Sequence, residues 1–575
     1  MRKHIKNIII AVFTLSVTLV FSQKKSNDTI NTGVIDVVKP YTPTISDAFK
    51  VKEVPSLDDE TTQTKKTIKY NIFSFPVAST FTPAKGKAAT VDKAKAVKLF
   101  DNYATFGVGS YTTFLGEVYL NHAISRTESV GGYVSHLSSG GGIEGLSYDD
   151  NFSNSKLNVN YASRLRDLSW NIEGGFQRQS YNWYGVPQSQ ITAAQTNGIQ
   201  VDHSFFDAHF GGDITFNDTY INSGSFFFRR FGDNQGSGEN NFVLKAKADV
   251  PIQDMEISTD LVIDYLSGGF DRSYNSNNEL KYGNFQLGIS PTYQLKQDDL
   301  TLNLGVSLFY LRDNVATESK IYLYPNVTAS YRLVNDVLIA YGGLKGDLIQ
   351  NTYYGFANEN PFVSPTLDIK PTDQLYNAYV GLKGKLSSNI SYNISGRYLA
   401  ERNKALFRNN EITLTTENYT YGNSFGIVYD HVKTMGVSGE INVDVNRNFK
   451  LGLKAESFSY TSDDEAEAWN LPDFKGSLFL DYQISEKWFA GANLFYVGER
   501  KDEFFLNDGF TATTPFTVTL DSYFDANAHA GYHINDQLSV FIKANNIANE
   551  GYQRWQNFPV QSIQLLGGAT YKFDF

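Results

Sequence analysis

The chain has 575 residues, a net charge of −11, 42 Phe, 36 Tyr and 46 Gly, but only 15 Pro, 3 Met and no Cys. The absence of cysteine excludes disulfides, thiolate metal sites, cysteine nucleophiles and a lipid-anchoring cysteine together. The acidic balance, without a basic stripe, argues against nucleic acid as a partner. Aromatic residues at 14% beside charged residues at only 19% suit a protein with two solvents, lipid outside and water inside.

At the N-terminus, Arg2, Lys3, His4 and Lys6 precede an apolar run from Ile8 to Phe21, and Val20-Phe21-Ser22 suits cleavage before Gln23. Residues 1–22 therefore read as a secretory signal. No later apolar run reaches the roughly 18 residues of a spanning helix. Residues 23–100 hold five of the 15 prolines (Pro40, Pro43, Pro55, Pro76 and Pro83) and charged clusters such as Asp58-Asp59-Glu60 and Lys65-Lys66. That composition predicts an extended periplasmic or lumen-filling segment, not an independent domain.

From Tyr103 the character changes, and residues 101–575 read as one all-β unit. Period-two alternation recurs, which puts one residue set on each face of a strand. Leu300, Leu302, Leu304, Val306, Leu308 and Tyr310 share a face, while Thr301, Asn303, Gly305 and Ser307 share the other. Phe449, Leu451, Leu453 and Ala455 alternate likewise with Lys450, Gly452, Lys454 and Glu456, and Phe524, Ala526, Ala528 and Ala530 with Asp525, Asn527 and His529.

Tight polar turns are predicted at Arg126-Thr127, Arg166-Asp167, Asn217-Asp218, Gln253-Asp254 and Gln297-Asp298-Asp299. Others fall at Asn335-Asp336, Ser387-Ser388-Asn389, Asn446-Arg447-Asn448, Ser485-Glu486 and Asn535-Asp536. Longer connections alternate with them, at 139–153, 182–199, 231–240, 268–280, 312–320, 349–373, 404–433, 460–470, 500–519 and 549–561. Short turns alternating with long loops is the periplasmic and extracellular pattern of a large antiparallel transmembrane β-barrel. With one further connection at Gly109-Ser110, the count is about 22 strands (20–22), and both ends of the barrel chain face the periplasm. The last strand puts Ile563, Leu565, Ala569, Tyr571, Phe573 and Phe575 on one face. An aromatic terminal residue on such a strand is what outer-membrane assembly machinery reads, and so apolar an edge calls for closure.

The residues near the C-terminus resemble a known family. Phe541 to Asn549, followed by Tyr552, Trp555 and Phe558-Pro559, resemble the last hairpin of TonB-dependent receptor barrels, with Asn546 to Tyr552 matching its Asn-Leu-x-Asn-x-x-Tyr piece. Lys39 to Lys50, Gly109 to Thr113, Gly116 to Tyr119 and His136 to Ser139 resemble the start of a plug-less group of such barrels. The resemblance implies an outer-membrane barrel taking part in solute transport or binding, with outer-membrane lipid around it and energy or gating from a separate plug or TonB. Thr32 to Val38 is similar in character to the short box that binds TonB. The chain departs from full receptors in having only about 75 residues where they carry a globular plug. That departure keeps open a structural or accessory role in an envelope-assembly or secretion complex, with the lumen blocked.

No catalytic, cofactor or metal set is assigned. His203, Asp207 and His209 share a strand face, but six residues of strand separate the two imidazoles by about 20 Å, too far for one ion. His136 near Ser138 and Ser139 lacks a placed acid for a hydrolytic triad. Asp463-Asp464-Glu465 with Glu467 fits no calcium-loop spacing, and Ser138 to Gly145 lacks the lysine and helix of a phosphate loop. The aromatic groups Tyr181 to Tyr184, Tyr353 to Phe356, and Tyr552 with Trp555 read mainly as the interfacial girdle, a minority being available to stack on a sugar ring or a partner.

Overall fold

The computed structural model describes residues 98–575 except 188–190, 192–198, 218, 253–254, 414–416 and 508–512. The signal at 1–22, the Thr32 to Val38 and Lys39 to Lys50 motifs and nearly all of the 23–100 segment lie outside the described residues.

Twenty-two strands form a single antiparallel sheet. Each pairs with its neighbours in chain order, and the first, Asn102–Gly109, pairs both with Thr113–Ala123 and with the last, Gln564–Phe573. The ring is therefore closed, as the apolar terminal strand requires. With strands about 4.8 Å apart and tilted by about 40°, a ring of this count is roughly 40 Å across. The first connection is a tight turn closed by Thr113 N–H to Ser110 C=O at 3.0 Å, with Tyr111 and Thr112 both at positive φ (55° and 51°). Two-residue hairpins prefer Asn-Gly at such positions, which is why this turn is the faintest in the sequence.

Alternation sorts the side chains as predicted. Leu304, Val306 and Leu308 are exposed on the outer face, while Ser307 is buried on the inner one. Inner-face groups bond sideways from strand to strand: Ser290 to Ser307 at 2.8 Å, Gln294 to Asn303 at 2.9 Å and Asn303 to Thr328 at 2.9 Å.

Three loop boundaries differ from expectation. The 404–433 connection is mostly strand: Ile390–Asn409 and Phe425–Asn446 stay paired from Lys404↔Asp430 to Asn409↔Phe425, beyond a bulge after Glu401. At about 3.3 Å per residue, these 20- and 22-residue strands outrun the lipid. Beyond the lipid the apolar alternation that marks a wall strand has no cause to continue. The 231–240 connection shrinks likewise to a turn between Ile221–Asp233 and Gly238–Ile252. The 500–519 loop contains its own hairpin, Arg500–Asn507 with Thr513–Leu520, which stands outside the ring.

Val380 projects outward near the middle of Thr372–Ser387 and is 63% exposed. Val380→Arg is expected to destabilise the barrel by roughly 2–4 kcal/mol, against about 0–1 for the inner-face change Ser330→Arg. The urea midpoint for loss of the fast-migrating folded band on a gel measures both.

Candidate functional site: the loop cap over the barrel mouth

The long loops turn inward and meet. In the 350–371 loop, the short helix Tyr353–Glu359 (α1) starts at Thr352, whose hydroxyl accepts from Gly355 N–H at 2.9 Å. The Glu239 carboxylate, at the rim of the wall, accepts from Tyr353 N–H at 2.6 Å, Tyr354 N–H at 3.1 Å and the Tyr282 hydroxyl at 2.9 Å. A buried carboxylate is tolerated when donors surround it. The Tyr353 hydroxyl donates to Asp233 at 2.6 Å, and its ring packs on Phe205, Phe231 and Phe270 with centroids 5.0–6.0 Å apart. Tyr354 lies under the Arg229 guanidinium, 3.6 Å from the ring centroid.

The other side of the same loop reaches the opposite wall. Phe356 meets Phe407 at 5.8 Å, Phe407 and Phe425 meet Trp555, and Phe362 stacks on Phe558 at 3.8 Å. Backbone bonds join Ser364 N–H to Phe425 C=O at 2.9 Å and Phe425 N–H to Phe362 C=O at 3.0 Å. Phe205 and Phe231 come from the sixth and seventh wall strands, and Phe270 and Tyr282 from the ninth and tenth. Phe407 and Phe425 come from the fifteenth and sixteenth, and Trp555 and Phe558 from the loop between the last two. These strands lie on opposite sides of a closed ring, so one continuous core bridges the mouth.

Further ties lock neighbouring loops. Asn423 donates to Trp183 C=O at 2.9 Å, the Tyr184 hydroxyl to Pro559 C=O at 2.9 Å and the Tyr274 hydroxyl to Glu411 C=O at 2.7 Å, and Arg272 pairs with Glu417. The outer hairpin is held through the buried Arg500, which donates to the Arg554 and Gln553 carbonyls, and through Asp502, which accepts from Asn409 N–H at 3.0 Å. Burial pushes the Asp502 carboxyl up to about 7.

The profile of the TonB dependent receptor-like β-barrel family matches residues 93–547. This chain belongs to that family. No curated protein matches it in sequence. Among solved structures, the FrpB iron transporter from Neisseria meningitidis is similar at a TM-score of 0.63 and 10% identity, over 82% of this chain and 82% of that one. The siderophore receptor PirA from Acinetobacter baumannii gives 0.62 and 12% over 84% and 81%. The pyoverdine receptor FpvA from Pseudomonas aeruginosa PAO1 gives 0.61 and 13% over 84% and 80%. At such identities the likeness is one of fold. The protein is thus an outer-membrane barrel of a solute transport and binding family, and the long-loop end is extracellular.

Within this TonB-dependent receptor-like barrel, the aromatic groups depart from the girdle reading. Trp183, Tyr184, Tyr353, Phe356 and Trp555 build the cap instead, and Tyr552 stacks flat on Tyr523 at 3.8 Å. The rings turn inward because the mouth is wide enough to admit the loops and apolar loop surface has no other place to leave water. Asp207 does meet His209 at 2.9 Å, but its other oxygen pairs with Arg229 at 2.8 Å. His203 is buried apart from them against Trp183 and Phe205.

The remaining candidates are also spoken for. His136 bonds Ser155 at 2.7 Å, not Ser138 or Ser139. Asp463 pairs with Lys433, Glu465 with Arg408 and Glu467 with Lys501. Asp464, His431 and Asp430 do converge. Both Asp430 oxygens, however, already accept two backbone N–H bonds each, from His431, Asp464 and Glu465, which fills its lone pairs. Sequence reasoning missed Glu239, Asp233, Asp502 and Arg500, because each acts through a partner distant in the chain.

Two outcomes are expected. Glu239→Ala leaves two helix-start amides and a tyrosine hydroxyl without an acceptor, a loss of about 1–3 kcal/mol, seen as faster amide exchange confined to 350–371 with the wall unchanged. Asp502 has a folded-state pKa above its unfolded one, so its neutral form favours docking of the hairpin. That stability is fully present below about pH 4 and is lost as pH rises through about 7. Protection factors at Asn409 and Glu503 should fall across that window and become flat in Asp502→Asn.

Proposed function

We propose that this barrel takes part in solute transport or binding across the outer membrane, and that the loop cap is its extracellular gate. The continuous aromatic core bridging opposite walls carries the reading, since it closes the mouth with parts able to separate. The names of the similar structures, a pyoverdine receptor, a siderophore receptor and an iron transporter, support solute handling as the class. Residues 1–22 act as the signal, and residues 23–100 serve as an extended periplasmic or lumen-filling segment in place of a full plug, which makes this a plug-less relative. A separate plug, TonB or other envelope proteins supply energy or gating, with Thr32 to Val38 as the segment offered to TonB. The assembly machinery reads the last strand through Phe575. The proposed chemistry is non-enzymatic.

A second reading, an accessory barrel of an envelope-assembly or secretion complex, is favoured by the same cap, because a sealed mouth also suits a subunit that never conducts. Single-channel conductance separates the two. The full-length barrel is expected to be closed, and a protein lacking residues 24–100 and carrying Glu239→Ala to conduct. If that protein stays closed while folded, passage through the barrel is refuted and the accessory role stands, with stable partners on affinity purification as its own test.

A further inference from the structure

On the lipid side of the wall, near its extracellular edge, two cations stand without a counter-charge. Arg178 lies opposite Phe206, and Arg230 opposite Ala208. Phe206 and Phe210 are exposed on the outer face while Phe205 is buried on the lumen side, and Arg229 turns inward to Asp207. Alternation therefore points Arg178 and Arg230 outward, and both are exposed. Ten residues separate Leu168 from Arg178 and nine separate Ile221 from Arg230, counted from the periplasmic strand ends. At about 3.3 Å per residue and a tilt of about 40°, both arginines stand roughly 23–25 Å above those ends. That is the height of the apolar band, so both lie where outer-leaflet headgroups begin. Phe210, Phe228, Phe242, Tyr265 and Phe285 form one register row on the same face, as expected of an interfacial belt.

The two side chains lean toward each other. The Arg178 guanidinium lies over the Phe206 ring, 5.6 Å from its centroid. The Arg230 guanidinium covers Gly238, with Nη2 2.5 Å from where a Cβ would stand. Phe206, Gly232 and Gly238 are consecutive in one register row. The guanidiniums therefore flank the bare backbone of Gly232, two strand spacings or about 10 Å apart. Among the described residues, no Asp or Glu forms an ion pair with either arginine. Asp271 turns over Gly236 at the tip of the adjoining turn, and Asp202 stands four residues beyond Phe206, both nearer the water. Two cations at headgroup depth, with no carboxylate of the protein to meet them, call for an anion from the lipid. A phosphodiester brings one charge and leaves one guanidinium uncompensated. A phosphomonoester brings about −1.5 to −2 at pH 7 and three acceptor oxygens, enough for a charge-assisted bond to each arginine. Just above, the Ser180 and Ser204 hydroxyls bond each other at 2.9 Å and keep lone pairs for sugar hydroxyls.

We propose that this strip binds the phosphomonoester of an acylated sugar phosphate, a glycolipid of the outer leaflet. The phosphate lies over Gly232 between Arg178 and Arg230, and the sugar meets Ser180 and Ser204. The acyl chains descend over Phe176, Phe210 and Phe228, all exposed on this face. The site lies outside the lumen and is independent of what the barrel transports.

Native mass spectrometry of the full-length protein tests this, with monophosphoryl lipid A, the same glycolipid stripped of its phosphate, and phosphatidylglycerol as competing probes. The phosphorylated glycolipid should be retained about threefold or more over each of the others, the size of one added interfacial ion pair. Arg178→Gln and Arg230→Gln should each remove that preference. Arg312→Gln, outward-facing on the eleventh wall strand and four strands from Arg230, should keep it. Equal retention of the stripped glycolipid or of phosphatidylglycerol overturns the proposal, as does a preference that survives both arginine changes. Should a variant fail to fold, amide exchange of 232–238 in the unaltered protein decides: the phosphorylated glycolipid must slow it relative to the stripped one, and no difference overturns the site.

Discussion

Closure of the ring is the constraint on which everything else depends. In lipid every backbone N–H and C=O needs a partner within the protein, so the first and last wall strands must meet. They do so along eight register pairs from Asn102↔Phe573 to Gly109↔Leu566. The seam is tight: a Cβ on Gly568 would lie 2.4 Å from the Phe106 carbonyl oxygen and 2.5 Å from the Phe541 ring. Only glycine admits that approach. Once the ring is closed, alternation has no freedom left, and each strand must show lipid one face and the lumen the other.

A closed ring of this width creates a second requirement at its mouth. Its diameter far exceeds the span of one side chain, so only the loops can reach across it. They bridge it as a small globular core does, by burying rings at roughly 1.5–3 kcal/mol each and by pairing key buried polar groups. Glu239 shows how the two demands combine. Its desolvation is offset by three donors, one the Tyr282 hydroxyl of the wall and two the first amides of the helix that carries Tyr353 and Phe356 into the core.

The wall was legible in the sequence because its causes are local. Period two at Leu300 to Tyr310 and polar pairs such as Asn335-Asp336 follow from the pleat and from turn chemistry within a few residues. The 404–433 boundary was misplaced because the strands there leave the lipid, and with it the solvent that writes the apolar pattern. The cap was hidden for the opposite reason. Asn423 meets Trp183 across 240 residues and Tyr184 meets Pro559 across 375, and no spacing rule reaches that far. Aromatic loop residues were visible as a composition, but a ring that faces lipid and one that faces another loop look alike until the wall is placed.

The cap is also unequal in its parts. The 350–371 loop joins the wall at Glu239 and Asp233 to Phe425 and Phe558 on the far side, and parallel ties run from Trp183 to Tyr419, from Tyr184 to Phe558, and from Arg272 and Tyr274 to Glu417 and Glu411. Withdrawing the 350–371 loop leaves Tyr184 against Phe558 and Trp183 against Tyr419, so the parallel ties still span the mouth. Opening of the proposed gate therefore has to part these ties together with those of the 350–371 loop, while the paired wall strands stay in place. Within that loop the contacts at Glu239 and at Phe558 differ in kind. The bonds at Glu239 are directional and few, while the contacts of Phe362, Phe425 and Phe558 are apolar and replaceable by another ring or sugar face. In the proposed gate a ligand arriving from outside can substitute for the second set but not the first, so the aromatic contacts are the ones that yield and the Glu239 bonds the ones that hold.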